Sequence, residues 1–117
     1  MISLPELKRQ IEADPAHEII HLMDFVDDFR YYRDAGAISE PFAFDHERLD
    51  ALLASTIEYL CDEMGMTPPA WLEGVPSCQT PYFVSGLESL KSFTLVQSPA
   101  RFRLRKIFVL ENFLSRV

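Results

Sequence analysis

The chain has 117 residues, of which 48% are hydrophobic and 25% charged, and its formal net charge is −7. This length and mixture belong to a globular domain and exclude an intrinsically disordered chain. An acidic balance argues against a general nucleic-acid binder, because phosphate contacts supply most non-specific affinity.

The chain opens on a capping box. Ser3 can accept from the backbone at Glu6 while Glu6 reaches back, and Pro5 suits a first helical turn. A short helix from Leu4 to Ala13 is expected. Asp14-Pro15 repeats the start signal, and a second helix should run from Pro15 to Ala35, with Gly36 as its stop. At 100° per residue, Ile19, Leu22, Met23, Val26 and Phe29 share one stripe, and His17, His21, Asp24 and Asp28 lie opposite.

Residues 36–44 read as a loop whose Ile38, Phe42 and Phe44 tuck under the bundle. Asp45 should cap a third helix running to Met64 and ending at Gly65. Its stripe is Leu49, Leu52, Leu53, Thr56, Ile57, Leu60 and Met64. Two long amphipathic helices joined by a modest loop predict an antiparallel pair.

Thr67 to Leu72 reads as a capped single turn, and Pro76 and Pro81 hold an extended crossing. Residues 82–96 suit a short helix better than an alternating strand. Ser98-Pro99 is another cap-plus-proline start, leading into Ala100–Lys106. The apolar run 107–110 is read as strand-like or buried coil, and Glu111–Arg116 as a last turn. The expected fold is all-α, a single helical domain over 1–117. It is a small bundle built on the antiparallel pair, with an irregular, basic C-terminal half.

Nine Phe, four Tyr and Trp71 can close a core, since a chain this long buries roughly 65% of its unfolded surface. Cys61 and Cys78 match no metal-ligand spacing and are too few for a disulfide framework. They are expected to be reduced thiols in a cytoplasmic protein. Neither a leader nor an apolar run of membrane-spanning length is visible, so no membrane partner is expected.

Charge is unevenly spread. Residues 1–80 hold 16 acidic and 5 basic side chains, a net of −11, and residues 81–117 hold 2 acidic and 6 basic, a net of +4. Either the two parts attract each other within the fold, or the basic end faces an acidic partner or a nucleic acid.

His17 and His21 have a spacing that can share a zinc ion. Their row is polar throughout and lacks the glutamate of an HExxH motif, so it is read as a solvated face, with no metal and no cofactor expected. Arg30 and Arg33 continue the apolar stripe of the second helix. Either they reach outward from an exposed helix end, or they meet an internal carboxylate or an interface.

The strongest local signal is Arg101-Phe102-Arg103-Leu104-Arg105-Lys106. Its apolar residues would anchor the segment while the cations point toward phosphates or a partner's carboxylates. Ser98 and the turn after it could add an anion site. A cation ring paired to the acidic part of the same fold is the competing reading. Glycine-rich phosphate loops, nucleophile elbows and any recognisable His–Ser or His–Cys relation are absent from the sequence, so an enzyme is not expected. The candidate partner-binding residues are Arg101, Arg103, Arg105, Lys106, Arg30 and Arg33.

The stretch from Pro69 to Arg116 carries further landmarks. They are Pro69-Ala70-Trp71, Pro81-Tyr82-Phe83, Gly86-Leu87-Glu88-Ser89-Leu90, Ser98-Pro99-Ala100-Arg101-Phe102-Arg103, Arg105, Ile107-Phe108-Val109 and Leu114-Ser115-Arg116. This stretch resembles a family of uncharacterised bacterial antitoxin- or regulator-like proteins. Many of them carry an Xre-type helix-turn-helix before this region and are encoded beside a nucleotidyltransferase-like toxin.

The resemblance covers about 50 residues and implies the antitoxin or regulatory half of a toxin–antitoxin-like pair. Two departures stand out: no room for a DNA-binding domain is expected before the helices, and Lys106 replaces an Asn. The expectation is a non-enzymatic partner-binding protein whose partner is nucleotidyltransferase-like. A homodimer is compatible with it. The alternative is a nucleic-acid-binding regulator using residues 101–106.

Overall fold

A computed structural model describes residues 2–84, 97–110 and 113–114. The chain is mostly helical, with one two-stranded sheet among the described residues. It divides into two compact units, Met1–Ala43 and Phe44–Val117. The helix expected within 82–96 lies, from 85 on, outside the described residues, as does most of the last turn over 111–116.

In the first unit, α1 (Leu4–Ala13) starts where the capping box places it, with Ser3 Oγ accepting from Glu6 N at 3.3 Å. It buries Leu4, Leu7 and Ile11 at i, i+3 and i+7 spacing. A 3₁₀ turn, Pro15–His17, leads into α2 (Glu18–Tyr32), which packs on α1. Leu22, Met23, Phe25, Val26 and Phe29 form the buried stripe of α2, while Ile19, expected there, is exposed. Each fully buried side chain of this size contributes about 1.5–3 kcal/mol. Lys8 is also buried; its Nζ donates to the Ala43 carbonyl and lies 5.0 Å from the Phe42 ring centroid.

The end of α2 differs from expectation. Arg33, three residues before Gly36, takes the left-handed C-cap conformation at φ 52°, and its N–H donates to Phe29 O at 2.8 Å. Asp34 then accepts from Gly36 N at 2.8 Å and starts a 3₁₀ turn, Ala35–Ile38. That local side-chain bond competes successfully with helix continuation. A non-glycine residue in this region carries about 1 kcal/mol of backbone strain. Arg33→Gly is therefore expected to raise stability by roughly 0.5–1 kcal/mol, read as an increased midpoint in thermal unfolding. A lowered midpoint would contradict the strain.

The second unit is built around α3 (Glu47–Met64). Its cap is His46, one residue past the expected Asp45. The ring Nδ1 accepts from Leu49 N at 3.2 Å, and Asp50 Oδ2 accepts from His46 N at 3.0 Å. Gly65 closes the helix at φ 68° as expected. The expected stripe is buried except for half-buried Met64, but so are Ala51, Ala54, Ser55, Glu58 and Cys61. A helix covered on every side is the centre of a core.

A 3₁₀ turn at Ala70–Gly74 follows, and Trp71 stacks on Phe44 with centroids 6.4 Å apart. Phe44 itself is half exposed, unlike Ile38 and Phe42, which are buried. Strand β1 (Tyr82–Phe83) pairs in parallel with β2 (Ile107–Phe108), in the register Tyr82 to Ile107 and Phe83 to Phe108. Between them in sequence comes α4 (Ala100–Arg103), and α3 packs against both α4 and β2.

Cys61 and Cys78 are free and buried. Burial pushes the Cys61 thiol up to about 11 and the Cys78 thiol upward as well. Because the thiolate is the reactive form, native protein is expected to react slowly with a thiol reagent at about pH 8. Both thiols should react fast in denaturant; rapid native labelling would contradict their burial.

Candidate partner-binding site

The basic segment is short and helical, and that decides where its side chains go. At 100° per residue, Arg101, Phe102 and Arg105 fall within about one third of the circumference, and Arg103 and Leu104 fall opposite. The sequence suggested anchoring apolar residues and outward cations, which is the alternation of a strand. The helix sorts them differently.

Phe102 does anchor the segment. It is buried, with ring centroids 6.0 Å from Tyr59 and 6.2 Å from Phe113. Arg101 and Arg105, four apart, meet Glu58 and Asp62, also four apart on α3. Arg101 grips Asp62 with two bonds, Nε to Oδ2 at 2.8 Å and Nη2 to Oδ1 at 3.0 Å. Its Nη1 lies 3.5 Å from Glu58 Oε2. The Asp62 carboxylate beside it raises the Arg101 pKa further.

Arg105 is only 8% exposed and Glu58 5%. Arg105 Nη1 donates to Glu58 Oε1, Nη2 to Leu72 O at 2.8 Å and Nε to Val75 O at 3.3 Å. Charge and hydrogen-bonding capacity are thus met together, as a buried guanidinium requires. Arg105 belongs to the interior of its unit.

Arg103 and Lys106 are exposed, and among the described residues their side chains make no hydrogen bond or ion pair. Lys106 has φ 60°, a left-handed position that Asn tolerates better than Lys. Between these two cations Leu104 is 74% exposed. Ala100, Arg103 and Leu104 line a concavity of about 330 Å³. A neighbouring groove of about 430 Å³ is lined by Tyr59, Asp62, Glu63, Pro99, Ala100 and Arg101.

Ser98 does not cap α4; Pro99 occupies that position. The buried Ser98 hydroxyl donates to Val109 O at 2.8 Å and accepts from Val109 N at 2.7 Å, so it is spent on the chain and cannot hold an anion.

The remaining candidates lie in the first unit. Arg33 is exposed past the end of α2, its Nε 3.4 Å from Arg30 O, and Arg30 is half-buried. His17 Nδ1 and His21 Nε2 each lie 3.0 Å from the Asp14 carboxylate. The His17 bond first, then the His21 bond, holds the Asp14 carboxyl below the usual carboxylate range. Among the described residues no group of three or more His, Cys, Asp or Glu side chains is arranged to hold a metal. No helix among them is long and apolar enough to cross a membrane.

Sequence reasoning missed Glu58, Asp62 and the exposure of Leu104. The matched spacing of four in Glu58/Asp62 and Arg101/Arg105 was the available signal. No protein-family model matches the chain, and neither a curated protein nor a solved structure matches it significantly.

Proposed function

We propose that the protein acts by binding another protein, without catalysis, through the outer face of α4 and the turn after it. The observation that carries this reading is Leu104, 74% exposed between the cations Arg103 and Lys106. An apolar side chain with flanking charge resembles the anchor and rim of an interface. Nucleic acid is disfavoured by the same arrangement: Arg101 and Arg105 are engaged with carboxylates, leaving two exposed cations in the segment. Two phosphate contacts give a salt slope of only about −2.

The partner we propose is a nucleotidyltransferase-like protein, with this chain as the antitoxin-like component of the pair. The sequence resemblance over 69–116 supports that choice. A cytoplasmic location belongs to the same proposal, suited by two free, buried thiols.

Co-expression with the product of the neighbouring gene tests the reading. A complex on size exclusion and rescue of growth are expected, and both should weaken at least about tenfold in the double variant Arg103→Glu, Leu104→Ser. Absence of a complex, or a complex indifferent to that variant, overturns it.

A further inference from the structure

The exposed side chains of α4 and the turn after it stand on a backbone that is hydrogen-bonded throughout. Phe102 N and Arg103 N donate to Pro99 O at 3.0 and 3.1 Å, and Leu104 N donates to Ala100 O at 3.0 Å. Arg105 N follows to Phe102 O at 3.1 Å, and Lys106 N to Arg103 O at 2.9 Å. The Arg105 and Lys106 carbonyls accept from Cys78 N and Tyr82 N, both at 2.9 Å. Lys106 is thereby pinned at its left-handed φ of 60°, a conformation unfavourable for lysine. The turn is preorganised.

It displays one apolar side chain and two cations. The concavity of about 330 Å³ beside Leu104 is lined by Ala100, Arg103 and Leu104 itself. Ala100 also lines the neighbouring groove, together with Asp62 and Glu63. Cations therefore accompany Ala100 in one hollow and carboxylates in the other. Asp62 is engaged by Arg101, and Glu63 is exposed.

Resting on the reading of α4 as a protein-binding face, we propose that its occupant is an acidic segment of the partner. One large apolar side chain of that segment enters the hollow against Ala100 and Leu104, where burial anchors it. Carboxylates on one side of this anchor pair with Arg103 and Lys106. Neither cation makes a hydrogen bond or ion pair among the described residues, so no such described contact has to break. Carboxylates on the other side of the anchor would meet Glu63 and be repelled, which fixes the direction of the segment. A preformed backbone leaves little to order on binding. The patch is small, so an isolated segment binds in about the micromolar range or more weakly.

Selection of short random peptides, displayed on phage, against the full chain tests this chemistry without the partner in hand. Enriched peptides are expected to carry a large apolar residue with Asp or Glu on one side of it. Synthetic copies should bind in fluorescence anisotropy, and more weakly at high salt. Arg103→Glu with Lys106→Glu, and separately Leu104→Ser, should each weaken that binding at least about tenfold. Glu63→Lys should instead strengthen binding of a peptide with acids on both sides of the anchor. Every substituted position is exposed, and unchanged circular dichroism and melting establish that the variants are folded. Peptides without the pattern, or binding indifferent to these substitutions, overturn the proposal. So does a single-stranded oligonucleotide that binds more tightly than the peptides and is lost in the same variants. Peptides of the expected pattern with no complex on co-expression would remove only the nucleotidyltransferase-like partner. A co-expression complex with peptides lacking the pattern would remove only the acidic segment.

Discussion

Replacing Glu58 with Ala is expected to destabilise the protein by about 3–5 kcal/mol, because it strands a buried guanidinium. Arg105 would keep its bonds to the Leu72 and Val75 carbonyls but lose the only carboxylate described against it. Asp62 cannot substitute, since both its oxygens are held by Arg101. Urea unfolding at constant m-value measures the loss. A change below about 1 kcal/mol would mean that the pair is effectively solvated. The double variant Glu58→Leu, Arg105→Met should be much less harmful than Glu58→Ala, because removing both charges leaves none unpaired.

Phe102→Ala should cost a similar amount, about 3–5 kcal/mol, through the lost burial and the cavity left behind. Its ring is 1% exposed and shared between Tyr59 and Phe113, so few neighbours can collapse into the space. Leu104→Ala, two residues on, should change stability by no more than about 0.5 kcal/mol. Chemical denaturation of both variants checks the contrast. Equal losses would mean that Leu104 is not the outward-facing residue described above.

Local start and stop signals were readable in the sequence. Ser3, Pro5 and Gly65 each act at the atom or dihedral their type suggests. The Arg33 terminus was unreadable because an arginine has no preference for the left-handed region; Asp34 and the chain beyond impose it. The β1–β2 ladder was equally hidden, since two-residue strands are too short to show a period.

α3 was read as one-sided, although its other side carries Ala51, Ala54, Ser55 and Cys61, small groups that admit a second packing layer. The basic segment was legible as a short cation-rich turn, but the directions of its side chains were not. An alternating pattern over 101–106 was weighed as if all four cations pointed one way, whereas one helical turn sends two inward and leaves two on the surface.

The contacts that close the second unit join distant positions. Arg105 reaches Glu58 across 47 residues and Leu72 across 33, and the parallel strand pair links 82–83 to 107–108. Ordering such long loops comes before any reward from the contacts they allow, which slows the search for the native arrangement. In the first unit the main packing is that of α1 on α2, adjacent in sequence, although Lys8 also reaches Ala43 across 35 residues. Stopped-flow hydrogen exchange should therefore find α1 and α2 protected first, and the α4 surface completed only when the Arg105 tether locks.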